Sequence, residues 1–288
     1  MTHLKNIPVI ALPGGESVPA LGQGTWMMAE RRQNRAAEIA ALRTGVDLGM
    51  TVIDTAEMYT GGAAEELVAE ALGDRRRDIF LVSKVMPQHS SRRGTMSACE
   101  ASLRRLNTDC LDLYLLHWRG SVPLEETLEA FATLKRDGKI RHWGVSNFDV
   151  ADMDDLEELA PLSGDALSPI ASNQVLYNLT RRGVEHALLP WCRSRGIPVM
   201  AYSPLEQGKL AKHKTLQAIG ARLTATPAQV ALAWVLAQDG VIAIPKSGEA
   251  GRVRENRAAL DLRFTSEDLD DLNAAFPPPR KNTPLEMI

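Results

Sequence analysis

The sequence predicts an α/β fold, a (β/α)8 TIM barrel with an N-terminal β-hairpin. Short apolar runs alternate with helical patterns along the 288 residues, and no Gly/Ser/Pro-rich linker or charge run divides them. This length is slightly more than the roughly 250 residues typical of one such barrel. The apolar runs also end on polar residues, as expected where parallel strands present side chains at one working rim. We therefore expect residues 1–288 to form a single barrel domain.

The first elements are expected to be a hairpin and then the first barrel strand. Residues 7–20 contain two short β runs around Pro13-Gly14-Gly15, which predict a hairpin that plugs the barrel bottom. Residues 21–26 would form the first barrel strand, in which glycines allow close backbone approach at the rim.

The helices follow from apolar residues at helical spacing and from their end signals. Thr226, Pro227 and Gln229 provide a cap, a first-turn proline and an N3 glutamine, while Gly138 and Gly240 suit positions beyond helix ends. Residues 206–222 contain only a weak helical pattern, and the proline-rich segment 277–284 predicts no defined path. The helices are expected at residues 34–48, 64–72, 96–106, 124–134, 184–195, 226–239, 249–259 and 266–275.

The strands between these helices each end on polar residues that would meet at one rim of the barrel. Several of these strands are apolar enough to be buried. An ionised group without a partner is costly to desolvate there, so the polar residues at the strand ends are expected to pair with one another. The polar ends are Asp54 after 52–53, Lys84 after 80–83, His117 after 113–116, Ser146 and Asn147 after 143–145, Gln174 after 170–173, Tyr202 and Ser203 after 199–201, and Lys246 and Ser247 after 241–245.

Composition excludes several classes of partner. The net charge of −3 creates no field that would favour nucleic acid, and no apolar stretch has the roughly 18 residues of a membrane span. The N-terminus lacks the apolar core of a signal peptide. Three widely spaced cysteines, Cys99, Cys110 and Cys192, suggest neither a disulfide framework nor a zinc site. We expect a cytoplasmic monomer that acts on a small molecule without a metal.

Four of the polar residues form a candidate catalytic group. Asp54, Lys84 and His117 end successive strands, and Tyr59 follows Asp54 across a short turn. A lysine ammonium would stabilise the phenolate of Tyr59, the carboxylate would keep the lysine charged, and a neutral imidazole would orient a substrate oxygen. Such a group can protonate the oxyanion that carbonyl reduction produces, and the hydride must then come from a cofactor.

Other strand ends suit a nicotinamide cofactor. Ser146, Asn147 and Gln174 could bind a carboxamide, and Tyr202 could stack on the nicotinamide ring. Phosphate commonly binds after the last strand of a barrel, where this chain has Lys246, Ser247 and Arg252. Lys246 and Arg252 are two cations that favour the extra phosphate of NADPH over NADH. The nearby Glu249 leaves NADH open, because an acidic residue can bind the ribose hydroxyls of NADH.

The motifs that carry these residues resemble those of the aldo-keto reductase family over essentially the whole chain, and within it bacterial enzymes that reduce methylglyoxal and other small aldehydes. They are Gly24-Thr25-Trp26, residues 53–59, 115–118, 144–148, Asn173-Gln174, residues 201–205 and 244–247. The resemblance implies a (β/α)8 barrel and the tetrad Asp54, Tyr59, Lys84 and His117. It also implies a substrate pocket of Trp26, Tyr59, His117 and Trp118, which would take 2-oxoaldehydes and aromatic aldehydes.

The resemblance implies an extended NADPH site as well. Lys246, Ser247 and Arg252 would hold the adenosine 2′-phosphate, and Glu255 and Asn256 the adenine edge. The segment after Tyr202 is short for a loop that covers a cofactor. The implied cofactor contacts are Gly24, Thr25, Trp26, Asp54, Ser146, Asn147, Gln174, Tyr202, Ser203, Pro204, Leu205, Gln207, Gly208, Lys209, Leu210, Ile244, Pro245, Lys246, Ser247, Arg252, Glu255 and Asn256.

Other interpretations remain open for the same residues. Tyr59 alone would be an ordinary loop tyrosine, Trp26 and Trp118 could be packing residues, and Lys246 and Arg252 could be solvated cations. The protein could instead be a nicotinamide-binding subunit that reports redox state with little turnover. It could also be a Schiff-base aldolase that uses Lys84, which would require that lysine to be neutral.

Overall fold

The computed structural model describes residues 6–163, 167 and 169–288, and it has the predicted barrel. Eight parallel strands each pair with the next one in sequence, and backbone bonds from Gly22 to Ala243 (2.8 Å) and from Gly24 to Pro245 (3.2 Å) join the first barrel strand to the last. The barrel strands are β3 (Gln23–Gly24), β4 (Val52–Asp54), β5 (Phe80–Val85), β6 (Leu111–Leu116), β7 (Ile140–Ser146), β8 (Asn173–Leu176), β9 (Val199–Tyr202) and β10 (Val241–Ala243).

Helices surround the strands and bury one face each against them. The cap at Thr226 is present as predicted, because the Thr226 side chain accepts from the Gln229 amide and the Gln229 side chain accepts from the Thr226 amide. The helices are α1 (Arg35–Asp47), α2 (Ala63–Leu72), α3 (Arg92–Arg105), α4 (Leu124–Arg136), α5 (Val150–Leu159), α6 (Leu188–Ser194), α7 (Lys214–Leu223), α8 (Pro227–Leu236), α9 (Ala250–Ala258) and α10 (Ser266–Ala275).

The predicted hairpin closes the bottom of the barrel. Strands β1 (Val9–Ala11) and β2 (Ser17–Pro19) are antiparallel, and Leu12 and Val18 pack in one cluster with Val52, Phe80 and other side chains of the barrel interior. Glu16 of the hairpin pairs with Arg141 at the start of β7 (2.9 Å). The amino ends of the strands are therefore covered, and the carboxyl ends form the accessible rim.

Several elements differ from the sequence prediction, among them helix α5 (Val150–Leu159), where no helix was expected. The run 170–173 was expected to be a strand that ends before Gln174, whereas β8 is Asn173–Leu176 and contains Gln174. The helix expected at 184–195 starts only at Leu188, after a 3-10 turn at Gly183–Glu185. Pro190 explains the late start, because proline is tolerated in the first turn of a helix but not in its interior.

Within residues 6–163, 167 and 169–288, no helix has both the length and the apolar character needed to cross a bilayer.

Candidate active site

The four candidate catalytic residues meet at the carboxyl ends of three neighbouring strands. Asp54 is the last residue of β4, Lys84 lies near the end of β5, and His117 directly follows β6. Tyr59 begins the 3-10 turn Tyr59–Gly62 that follows β4. The order of the strands thus explains how residues 63 positions apart in sequence come into one cluster.

Lys84 is the centre of this cluster. Its Nζ lies 2.8 and 2.9 Å from the two carboxylate oxygens of Asp54, 2.8 Å from the carbonyl oxygen of Thr55 and 3.0 Å from the hydroxyl of Tyr59. The side chain is fully buried. Burial lowers the pKa of Lys84, while the charge of Asp54 and its hydrogen bond oppose that shift. An ammonium donates three hydrogen bonds, and here three different residues accept them.

This arrangement disfavours the Schiff-base alternative. A lysine nucleophile must be neutral and must reach the substrate. Lys84 instead donates toward Asp54, Thr55 and Tyr59, and it is absent from the lining of the cavity described below. We therefore interpret Lys84 as a fixed cation behind Tyr59.

Tyr59 is a protonated phenol beside that cation. Burial, and secondarily the charge of Asp54, raise the pKa of Tyr59 well above its usual value. The expected stabilisation of the phenolate by Lys84 is therefore outweighed, because desolvation of the phenolate has the larger effect. Since Lys84 donates to the phenol oxygen, the phenol's own proton is free for another acceptor.

His117 is a neutral imidazole at the same place. Burial, and secondarily the charge of Lys84, lower its pKa to about 3. Its ring lies 5.9 Å from the ring of Tyr59, edge to face, and 4.9 Å from that of Trp118. Nδ1 is buried without a hydrogen-bond partner among the described residues, so Nε2 is the ring nitrogen that can face the cavity.

The amide residues at the next strand ends are held by bonds to one another. Gln174 Nε2 donates to Asp54 Oδ1 (2.8 Å), and Ser146 Oγ donates to the Gln174 carbonyl (2.8 Å). Asn147 donates to the carbonyl of His117 (3.1 Å) and accepts from the hydroxyl of Tyr202 (3.0 Å). These bonds fix the orientation of each polar group and connect the amide residues to the tetrad.

A cavity of about 930 Å³ opens from the tetrad along the rim. Every residue that the sequence placed in the cofactor site or the substrate pocket lines this cavity, except Thr25 and Lys209. Asp54, Tyr59 and His117 of the tetrad line it too, whereas Lys84 does not. Thr25 is buried and donates to the Asp54 carbonyl (2.9 Å), and Lys209 is exposed beside Glu206. These two side chains therefore do not face the cavity.

The end of the cavity beyond β10 carries cations at a helix start. Lys246, Ser247 and Arg252 line it where α9 begins, and no acidic residue occupies the first turn of that helix. Glu249 lies beside them, and its carboxylate is 3.4 Å from Arg252. Both partners are about two-thirds exposed, at 67% for Glu249 and 68% for Arg252. This end suits an anionic group, as helix N-termini do in general.

Sequence reasoning missed part of the cavity wall. Met27 and Met58 are exposed at its mouth, next to Trp26 and Tyr59 respectively, so their positions in the motifs could have indicated them. Met287 and Ile288 gave no such signal, because their approach depends on the path of the chain after α10. The missed residues are Met27, Met58, Ala211, Thr226, Pro227, Ala228, Gly251, Met287 and Ile288. Among the described residues, no group of three or more His, Cys, Asp or Glu side chains could hold a metal ion.

Comparisons with known proteins identify the family of this chain. The profile of the Aldo/keto reductase family matches residues 20–276. The chain is 50% identical over 285 residues to methylglyoxal reductase YeaE of Escherichia coli strain K12, which covers 97% of this chain and 99% of that protein. It is 34% identical over 273 residues to glyoxal reductase of Bacillus subtilis strain 168, with 95% and 94% covered.

Solved structures point the same way. An aldo-keto reductase from Klebsiella pneumoniae in complex with NADPH has a TM-score of 0.93 and 46% identity, and the match covers 99% of this chain and 100% of that one. A second structure from that organism, in complex with NADP and acetate, has a TM-score of 0.92 and 46% identity, with 98% and 100% covered. The chain belongs to the aldo/keto reductase family.

Proposed function

We propose that this protein reduces small aldehydes and ketones to alcohols with NADPH, and that Tyr59 is the proton donor. The observation that carries the proposal is the contact of Lys84 Nζ with the Tyr59 hydroxyl (3.0 Å) beside a neutral His117 in the cavity wall. Burial keeps the phenol protonated before reaction. As the proton leaves, the ammonium of Lys84 stabilises the phenolate that forms.

The chain's own residues would act on the substrate carbonyl in two ways. His117 Nε2 and the Tyr59 hydroxyl would both hydrogen-bond the carbonyl oxygen and orient it. NADPH, when bound, supplies the hydride to the carbonyl carbon. Tyr59 then gives its proton to the oxygen, and one alcohol forms from one carbonyl compound.

The polar residues of the rim fit NADPH. Ser146, Asn147, Gln174 and Tyr202 provide amide, hydroxyl and aromatic groups next to the tetrad. At the other end Lys246, Ser247 and Arg252 would bind the 2′-phosphate, with Glu255 and Asn256 at the adenine edge. Arg is suited to this task because its guanidinium binds phosphate in a bidentate way.

The substrates proposed are 2-oxoaldehydes such as methylglyoxal, and aromatic aldehydes. The apolar side chains of Trp26, Trp118, Met27 and Met58 surround the polar centre, as in many small-molecule pockets. The relatives from Escherichia coli and Bacillus subtilis are named for methylglyoxal and glyoxal reduction. We further propose that the enzyme acts as a monomer in the cytoplasm. The three free cysteines support the choice of a reducing compartment.

Absorbance loss of NADPH with a panel of carbonyl compounds tests this function. Methylglyoxal and a nitrobenzaldehyde should be reduced faster than a steroid ketone, and the reverse order would contradict the proposed substrate class. A wild-type enzyme that reduced no member of the panel would contradict the function itself and would favour the redox-reporting alternative.

The role of Tyr59 is tested separately with Tyr59→Phe. General acid catalysis contributes about 10²–10⁴-fold, so kcat should fall by at least that range while NADPH binding changes by only a few-fold. Tyr114→Phe is the matched control, because it removes a buried hydroxyl in β6 that has no hydrogen-bond partner among the described residues. A Tyr59→Phe enzyme with more than half of the wild-type activity would exclude Tyr59 as the donor.

A further inference from the structure

Glu57 is a buried carboxylate next to the catalytic group for which neither the motifs nor the proposed mechanism gives a role. Its Oε1 accepts a hydrogen bond from the Met86 amide (2.7 Å). His89 Nδ1 lies 3.0 and 3.2 Å from its two oxygens, and the imidazole is about half exposed. The carboxylate of Glu57 is 7% exposed. A carboxylate this deep is costly unless its partners are fixed.

The two ends of this contact lie beside two members of the tetrad. Glu57 precedes Tyr59 by two residues, and Met86 follows Lys84 by two residues. The bond between Glu57 and Met86 therefore spans the same two segments that meet at the Tyr59 hydroxyl and Lys84 Nζ. Any change in the separation of the segments would change that catalytic distance.

The segment that carries Tyr59 has few other constraints. The backbone amide of Thr55 donates a sheet hydrogen bond to the Val82 carbonyl (2.9 Å). The backbone amide of Glu57 donates to the Lys84 carbonyl, but this hydrogen bond is already long (3.5 Å). After Tyr59, three successive residues have positive φ, namely Thr60 (51°), Gly61 (60°) and Gly62 (93°). Threonine is disfavoured in this region because its Cβ lies too close to the following carbonyl oxygen, so the turn needs support from outside.

That support comes from opposite sides. The Thr60 hydroxyl donates to the Met28 carbonyl (2.8 Å) in the β3–α1 connection, and Glu57 accepts from the β5–α3 connection. The second connection is itself well braced, since Thr127 donates to Ser90 (2.7 Å) and Thr95 to His89 (3.2 Å). Glu57 is thus attached to a rigid segment on the Lys84 side of the turn.

We propose that Glu57 is a positioning residue for Tyr59. Its carboxylate fastens the turn that carries the phenol to the strand that carries Lys84, and it thereby sets the contact between hydroxyl and ammonium. This inference rests on the proposed role of Tyr59 as proton donor. Glu57 itself does not line the cavity and touches no reacting atom.

The test compares two substitutions of the same length. Glu57→Gln keeps an oxygen that can accept from the Met86 amide, whereas Glu57→Met keeps the volume without an acceptor. A misplacement of about 1 Å in a catalytic group can cost on the order of 10²-fold in rate. We expect Glu57→Met to lower kcat about 10- to 100-fold and Glu57→Gln to retain at least about a third of it. NADPH affinity should change less than about threefold in both, because the cofactor residues are untouched.

A second variant removes the donor instead of the acceptor. Met86 has φ −70°, which proline also adopts, so Met86→Pro deletes the amide hydrogen with its backbone angle unchanged. It should reproduce the loss in kcat seen with Glu57→Met. This variant keeps the inference testable if Glu57→Met does not fold.

Asp112→Asn is the control for a purely structural effect. Asp112 is a buried carboxylate at the opposite, amino-terminal end of the barrel, where it accepts from the Leu81 amide and pairs with Arg76 and Arg141, each at 2.8 Å. Its substitution should lower the melting temperature but leave kcat within twofold of wild type. A similar loss of kcat in Asp112→Asn and Glu57→Met would overturn the positioning role, as would full activity of Glu57→Met.

The same variants distinguish a wrong role for Glu57 from a wrong proposed function. If Tyr59→Phe is inactive while Glu57→Met and Met86→Pro are fully active, only the role of Glu57 is wrong. If the wild-type enzyme reduces no carbonyl compound, or if Tyr59→Phe is active, the proposed function or its proton donor is wrong instead.

Discussion

His117→Asn should make the enzyme less sensitive to mild acid. His117 is 7% exposed, and burial together with the Lys84 charge lowers its pKa to about 3. In the unfolded chain the same imidazole has a pKa of about 6.5. Between these two values the unfolded protein binds a proton that the folded protein does not, so stability decreases as pH falls below about 6.5.

The size of this effect follows from the two pKa values. At pH 5 the unfolded imidazole is almost fully protonated and the folded one is almost fully neutral, which costs about 2 kcal/mol of unfolding free energy relative to pH 7. Asparagine has no charge to gain, so the variant lacks this contribution. The difference corresponds to roughly 3 °C in melting temperature, because the unfolding entropy is about 2.1 cal/mol/K per residue and the chain has 288 residues.

Urea unfolding of wild type and His117→Asn at pH 7 and pH 5 measures the change in unfolding free energy with pH. Aspartate and glutamate residues titrate in both proteins, so the double difference isolates His117. We expect the wild type to lose about 2 kcal/mol more than the variant between the two pH values. Equal losses in the two proteins would mean that His117 is protonated in the folded state at pH 5. A neutral hydrogen-bond donor would then be the wrong description of its role.

Three further predictions concern charged residues of the tetrad and of the cavity end at α9. Lys84→Met leaves the carboxylate of Asp54 buried without its cation, and breaking such a pair costs about 3–5 kcal/mol. Thermal unfolding should show the loss, and adding Asp54→Asn to the variant should recover part of it, whereas no recovery would contradict an ion pair. Arg252→Ala should weaken NADPH binding by roughly ten- to a hundredfold with little effect on NADH. Glu249→Gln should strengthen NADPH binding by at most about fivefold, because an exposed pair that competes for Arg252 is worth about 0.2–1 kcal/mol. Fluorescence titration with both cofactors measures these affinities, and equal losses for the two cofactors in Arg252→Ala would indicate a role at the shared pyrophosphate.

The sequence predicted the barrel and the meeting of the tetrad because both depend on a regular rule. Parallel strands end at one rim, so Asp54, Lys84 and His117 could be placed together from the ends of three apolar runs. The capped helix start at Thr226 depends on contacts within four residues and was also predictable. Contacts within a few residues and a regularly repeated topology are therefore the features that a single sequence predicts best.

The other features depend on contacts between distant segments. The sequence contains Glu57 inside a motif, but its partners at Met86 and His89 lie 29 and 32 positions away and are set by the detailed path of two loops. Ile288 reaches the cavity because the chain after α10 crosses the rim, where Arg181 pairs with Glu286 (2.6 Å) and Glu206 (3.1 Å). No periodicity in the sequence encodes that path. The direction of the Tyr59 pKa was missed for a related reason, since it depends on burial as well as on the neighbouring charge.

The two ends of the barrel use buried carboxylates for different purposes. At the amino-terminal end, Asp112 is surrounded by two arginines and a backbone amide, so its charge is fully compensated and ties strands and hairpin together. At the carboxyl end, Asp54 is compensated chiefly by Lys84, and that lysine must also stabilise a phenolate during the proposed reaction. The cation at the working rim is therefore shared between folding and chemistry. This sharing is why changes at Lys84 should alter stability and activity together, whereas changes at Asp112 should alter stability alone.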